Sequence, residues 1–213
     1  MKNLVKYKKD ITIILDSSGS MNEIRTATID GFNTFINEQK NTNEELCVSL
    51  IKFSDKWETI FDMENINEIG ILDKEKYRPS GQTALFDTIG YTINSIGKRL
   101  SDTDLSLRPE NVIVVVITDG EENSSLTYSL EQINSMIKHQ TDVYKWSFVF
   151  IGSKQDAFKN GSQMGFEKGN ILMASSSPEA TCDVYRTMSV NLKSFSKEKS
   201  FFTENDQERQ RGL

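Results

Sequence analysis

The chain has 213 residues, of which 37% are hydrophobic and 26% charged, and its formal net charge is -6. That length suffices for one domain with a substantial core. The acidic balance argues against nucleic acid as the main partner, because phosphate binding draws on a basic surface, and no stretch approaches the roughly 18 apolar residues of a membrane span.

The N-terminus, MKNLVKYKKDITIILD, carries the positive charge of a signal peptide. Its apolar run, ITIIL, is too short for one, so a cytoplasmic chain is expected. Lys6, Lys8 and Lys9 read as a solvated strand edge. Cys47 and Cys182 fall in different elements, and reduced thiols are expected rather than a disulfide. Two cysteines and a lone histidine, His139, are too few for a Cys/His zinc site. His139 sits in a polar helical stretch and reads as a surface residue.

Strand and helix signals then alternate. Residues 10–15, DITIIL, form a short buried strand. Residues 23–39 carry Ile29, Phe32 and Ile36 at helical spacing, with Asn22 as a cap. LCVSLIKF (46–53) and WETIFDM (57–63) flank the turn residues Ser54, Asp55 and Lys56 and predict a β-hairpin. Residues 64–82 are irregular. Leu85, Ile89, Ile93, Ile96 and Leu100 mark a helix, and NVIVVVIT (111–118) is a β-branched run suited to a central parallel strand. A helix over 127–140, a strand WSFVFIG (146–152), a polar helix near 154–164, a strand NILMA (170–174) and a helix with Tyr185, Met188, Leu192 and Phe195 follow. Trp57 and Trp146, both on strands, are expected in the core. The domain is expected to span 1–196, with 197–213 as a polar, flexible tail.

The alternation predicts an α/β fold: a doubly wound, mostly parallel, Rossmann-like sheet with one antiparallel edge strand and helices on both faces. Ligands of such sheets bind beyond the carboxyl ends of the strands, where the winding reverses. Asp16 ends the first strand and Asp119 follows the strand 111–118. If those strands are neighbours, their tips meet at that crevice.

Three pieces of sequence point there. DSSGS places Asp16, Ser18 and Ser20 in an Asp-x-Ser-x-Ser pattern. GQTAL puts Thr83 before a helix, and Thr118-Asp119-Gly120 closes the central strand. Each piece alone has a plain reading: DSSGS as a turn that caps a helix, Thr83 as an N-cap. Glu121-Glu122-Asn123 reads as a solvated acidic loop at a helix N-terminus, and Asp87 as facing its own turn or solvent. Capping does not require three distant pieces to agree.

Together the pieces resemble the metal-ion-dependent adhesion site of the von Willebrand factor type A domain, over roughly residues 8–196. The resemblance implies a Mg²⁺ ion, with Mn²⁺ and Ca²⁺ as alternatives. Ser18 and Ser20 would bind it directly, with Thr83 joining in the ligand-bound state. Asp16 and Asp119 would act mainly through water. Hydroxyl and carboxylate oxygens are hard ligands suited to such a cation. The resemblance also implies an open coordination position that a partner protein fills with a carboxylate. TDGEENSS, GQTALFDTIG and FVFIGSKQDAFKNGSQMGFEKGNILMA look like small intracellular bacterial or phage members, which recruit partners to larger complexes.

The expected function is a non-catalytic, cation-dependent protein-binding module, since no nucleophile–base pair is evident. An alternative is a Mg²⁺-dependent phosphohydrolase at the same strand tips. Against it, aspartyl-phosphatases place a second Asp where Ser18 stands, and DSSGSM lacks the Gly-Lys-Ser/Thr of a P-loop. A third reading makes the metal a rigidifier while another face binds.

Overall fold

The computed structural model describes residues 6–42, 44–153 and 157–212. Six strands form one sheet: β1 (Lys9–Asp16), β2 (Leu46–Phe53), β3 (Trp57–Asn65), β4 (Asn111–Thr118), β5 (Ser147–Gly152) and β6 (Ile171–Met173). Their order is β3-β2-β1-β4-β5-β6. All neighbours pair in parallel except β2 and β3, which form the expected antiparallel hairpin. The winding reverses between β1 and β4, so the condition on the two strand tips is met.

Among the described residues six α-helices accompany the sheet: α1 (Arg25–Lys40), α2 (Leu85–Ser101), α3 (Leu130–Tyr144), α4 (Ala157–Gln163), α5 (Pro178–Lys193) and α6 (Glu204–Arg211). Alternation along β1 divides its side chains between two cores. Ile11, Ile13 and Leu15 pack with Phe32 and Phe35 of α1 and Tyr185 and Met188 of α5. Ile14 lies on the opposite face with Val114 and Val116 of β4, Ile89 and Ile93 of α2, and Ile133 and Ile137 of α3. The β-branched run of β4 is buried on both faces, as its composition requires.

The two helices α1 and α5 touch through a glycine. A Cβ at Gly31 would lie 2.3 Å from Cδ2 of Tyr185. Gly31→Val is therefore expected to cost about 3 kcal/mol through overpacking, read from urea unfolding.

Several expectations are corrected. Asn22 does not cap α1, whose N-cap position is Ile24 with no side-chain cap. Its amide donates instead to the carbonyls of Gly19 and Pro79, at 3.0 and 3.2 Å. Lys9 is buried rather than solvated: its ammonium donates to Leu192 O at 2.8 Å and pairs with Glu44 at 2.6 Å. Trp57 is exposed at the sheet edge, its ring tilted against Tyr91 with ring centroids 4.8 Å apart, whereas Trp146 is buried as expected. Cys47 and Cys182 are free thiols, and His139 is exposed. The helix expected near 154–164 falls partly outside the described residues; its described part is α4.

The stretch expected to be a flexible tail packs on the domain. Phe201 and Phe202 join the α1/α5 core, and Thr203 with Asp206 forms a capping box that starts α6. Gln207 donates to Ile171 O on β6 at 2.6 Å, and Arg209 and Gln210 each reach Asp183 Oδ2 on α5 at 2.8 Å. The helix is held by two aromatic anchors and polar bonds, which a hydrophobic pattern does not register. No helix among the described residues is long and apolar enough to cross a membrane.

Candidate metal centre

The site is assembled from three loops at the β1/β4 switch point. Asp16 ends β1 and is fully buried. Its Oδ1 accepts the backbone N–H of Ser18 at 2.6 Å, and its Oδ2 accepts the hydroxyl of Thr118, at the tip of β4, at 2.5 Å. Its carbonyl accepts the phenol of buried Tyr77 at 2.6 Å. The carboxylate thus folds the DSSGS turn back over its own strand and stitches β1 to β4. Burial pushes its pKa up to about 6. The hydrogen bonds from Thr118 and Ser18 oppose that rise, and nearby Asp119 adds to it.

The hydroxyls gather beside it. Ser18 Oγ and Ser20 Oγ are 3.2 Å apart, and Ser20 Oγ donates to Asp119 Oδ1 at 2.6 Å. Thr83 comes from the loop before α2. Gly120 carries no side chain where the loops converge: a Cβ there would lie 3.2 Å from Thr83 Oγ1 and 3.6 Å from Asp16 Oδ2. All five predicted residues are therefore brought together.

The plain capping readings do not hold. Ser18 occupies the N-cap position of a short 3₁₀ turn (Gly19–Asn22) but makes no side-chain cap. The N-cap of α2 is Ala84, without a side-chain cap, so the hydroxyl of Thr83 is not spent on the helix end. Turn chemistry leaves these side chains available.

The backbone clasps the loops. Gly19 N–H donates to Gly81 O at 3.1 Å, and Ser80 N–H to Ser17 O at 2.7 Å. Gly81 has φ +81°, a conformation that calls for glycine, and the Asp55 carboxylate fills the space a Cβ would take. Thr83 and Asn123 form a reciprocal pair: Thr83 N–H donates to Asn123 Oδ1 at 2.8 Å, and Asn123 N–H to Thr83 O at 3.1 Å.

The acidic neighbours have structural work that the sequence did not reveal. Glu122 is not a solvated rim residue. Its carboxylate accepts the N–H groups of Phe86, Ser124 and Ser125 at 2.8, 2.9 and 2.7 Å. Asp87 faces neither its own turn nor solvent. It is buried and accepts the N–H groups of Leu126, Thr127 and Tyr128 at 2.9, 2.9 and 2.8 Å. Burial pulls its pKa upward, but those backbone N–H groups outweigh it and hold the carboxyl below its ordinary value. Together Asp87, Glu122 and Asn123 lock the 120s loop onto the start of α2 and so hold Thr83 against Gly120.

The donor set fits a small hard cation. It is all oxygen, and the Ser18 and Ser20 hydroxyls, 3.2 Å apart, lie near the about 3 Å between adjacent ligands of an octahedral Mg²⁺. Among the described residues no group of three or more His, Cys, Asp or Glu side chains is arranged for a metal.

The sequence profile of the von Willebrand factor type A domain matches residues 10–187. The chain belongs to that family. Among solved structures it is similar to the PilB minor pilin from Streptococcus sanguinis, at 12% identity and TM-score 0.62, covering 88% of this chain and 62% of the pilin. It is also similar to proximal thread matrix protein 1 from the mussel byssus, a structure with a zinc-occupied MIDAS motif (the metal-ion-dependent adhesion site), at 14% identity and TM-score 0.61, covering 85% of this chain and 47% of that one. The SpRpn10 VWA domain aligns at 14% identity and TM-score 0.57, over 86% of this chain and 94% of its own. The chain thus spans less than two thirds of the pilin and of the thread protein. A search of curated proteins returns no match.

Proposed function

We propose that this chain is a divalent-cation-dependent protein-binding module. The carrying observation is the convergence of the three loops, with Asp16 and Thr83 against Gly120 and Ser18 and Ser20 linked to Asp119, and with the Ser18 and Thr83 hydroxyls free of helix capping. Ser18, Ser20 and Thr83 would hold the ion directly, and Asp16 and Asp119 would act mainly through water. The ion, Mg²⁺ in the first instance and Mn²⁺ or Ca²⁺ otherwise, would supply an electrophilic position for a carboxylate of a partner protein. In this reading the chain is the recruiting subunit of a bacterial or phage intracellular complex.

The alternative phosphohydrolase would need Asp16 or Asp119 as nucleophile. Both oxygens of Asp16 already accept hydrogen bonds from Ser18 and Thr118, which suits a positioning carboxylate better than an attacking one.

Capture of partners from the source organism's lysate tests the reading. Wild type with Mg²⁺, wild type with chelator, and Asp16→Asn with Mg²⁺ are compared by mass spectrometry. A partner retained by the first alone is expected; equal retention in all three contradicts the proposal. Gly120→Ala probes the cradle itself. Gly120 has no positive φ among the described backbone, so alanine is tolerated there while its methyl crowds Thr83. Mg²⁺ affinity is expected to fall about tenfold with stability nearly unchanged, as measured by calorimetric titration.

A further inference from the structure

A cleft of about 180 Å³ opens beside the proposed cation site. Two of the three loops that build that site run directly into its walls. Thr83 leads through Ala84 to Leu85 and Phe86 at the start of α2, and Asp119 leads to Gly120, Glu121 and Glu122. Gly120 is the shared wall: it lines the cleft, and a Cβ on it would lie 3.2 Å from Thr83 Oγ1 and 3.6 Å from Asp16 Oδ2. The lining is largely apolar. Leu85, Phe150 and Met164 are buried core residues, and Phe86 and Leu130 are half-buried against them. The Glu122 carboxylate is taken up by the N–H groups of Phe86, Ser124 and Ser125, which ties the 120s loop to α2 across the cleft's edge. A carboxylate on a metal ion distinguishes little, because every exposed Asp or Glu offers the same ligand. Selectivity comes from what surrounds the ion, and an apolar anchor seated in a pocket supplies it. At about 30 Å³ per water, the cleft matches about six waters, which is room for one large apolar side chain.

We propose that the cleft is a specificity pocket, which receives a bulky apolar side chain from the same partner segment that supplies the carboxylate. The inference rests on the cation-dependent reading above and adds the chemistry of the partner. One residue, Gly120, lies between cradle and cleft, so the two groups belong to one short segment: an acidic residue with a leucine-, methionine- or phenylalanine-sized residue close by.

Panning a phage-displayed library of random dodecapeptides on the immobilised full chain with Mg²⁺, with release by chelator, tests it. The released peptides are expected to share one Asp or Glu and one bulky apolar residue at a fixed spacing. In a synthetic peptide of that consensus, replacing the apolar residue by alanine is expected to weaken binding about tenfold or more. Two variants of the protein then probe the cleft. Asn160→Trp, on α4, fills it, and Leu130→Asp, at the first position of α3, charges its wall in a place that suits a helix N-terminus. Each is expected to bind the consensus peptide and its alanine form alike, with the Mg²⁺ affinity of the free protein unchanged in calorimetric titration; one folded variant suffices. Released peptides with an acidic residue and no apolar preference overturn the proposal and leave the cation-dependent reading standing, as does an alanine penalty that persists in a folded variant. If the chelator releases no peptide, both fall.

Discussion

Asp16→Asn is expected to abolish most of the thermal stabilisation that Mg²⁺ confers, weakening the ion by about 100-fold, while raising the Tm of the metal-free protein. The two effects share one cause. Asparagine keeps an acceptor for Ser18 N–H and can bond Thr118 from its amide, so the turn is retained. What it removes is a buried negative charge. Burial holds the Asp16 carboxyl at about 6, above its ordinary value. A carboxyl raised in the folded state contributes stability below its unfolded pKa, and that contribution is lost as pH rises through about 6. At neutral pH the metal-free fold therefore bears the whole cost, roughly 3 kcal/mol. A cation offsets that cost, and the amide never incurs it. Thermal unfolding with Mg²⁺ and with chelator, on both proteins, checks the crossing. A metal-free Asp16→Asn less stable than wild type would show that the carboxylate serves the fold rather than an ion.

Asp87→Asn is expected to destabilise by about 3 kcal/mol at neutral pH. Three backbone N–H groups converge on that carboxylate, and an amide can serve them only in part. Its pKa is lowered in the fold, so the stabilisation is present above the unfolded value of about 4 and disappears as pH falls through the lower, folded one. Urea unfolding at pH 7 should separate the two proteins clearly, and at pH 3 the gap should narrow. A gap independent of pH would assign the effect to packing instead of charge.

Much of the fold was legible because periodicity is a direct trace of burial. The run of β4, the i, i+4 ladder of α2 and the hairpin turn at Ser54–Lys56 each announce an element through the side chains that it must hide. The site was legible for a different reason: three short pieces, each ambiguous alone, agreed on one end of one sheet. What escaped was side-chain bonding to backbone across loops. Asp87, Glu122 and Asn123 each act on an N–H group some forty residues away, and no spacing records that. Tyr77, in an irregular stretch, gave no sign that its phenol would support Asp16. Trp57 was misplaced because a strand at a sheet edge can turn an aromatic ring outward against a helix. The charged C-terminal stretch hid two anchors, Phe201 and Phe202, in a composition that otherwise describes a solvated end.

Calorimetric titration of Mg²⁺ into metal-free wild type and Thr83→Ala tests the account most directly. Thr83 contributes no helix cap, so its hydroxyl has little to do unless an ion is bound. One saturable site in the wild type, weakened at least tenfold in Thr83→Ala with an unchanged metal-free Tm, is the expected result. No saturable site for Mg²⁺, Mn²⁺ or Ca²⁺, or equal binding by both proteins, would contradict it.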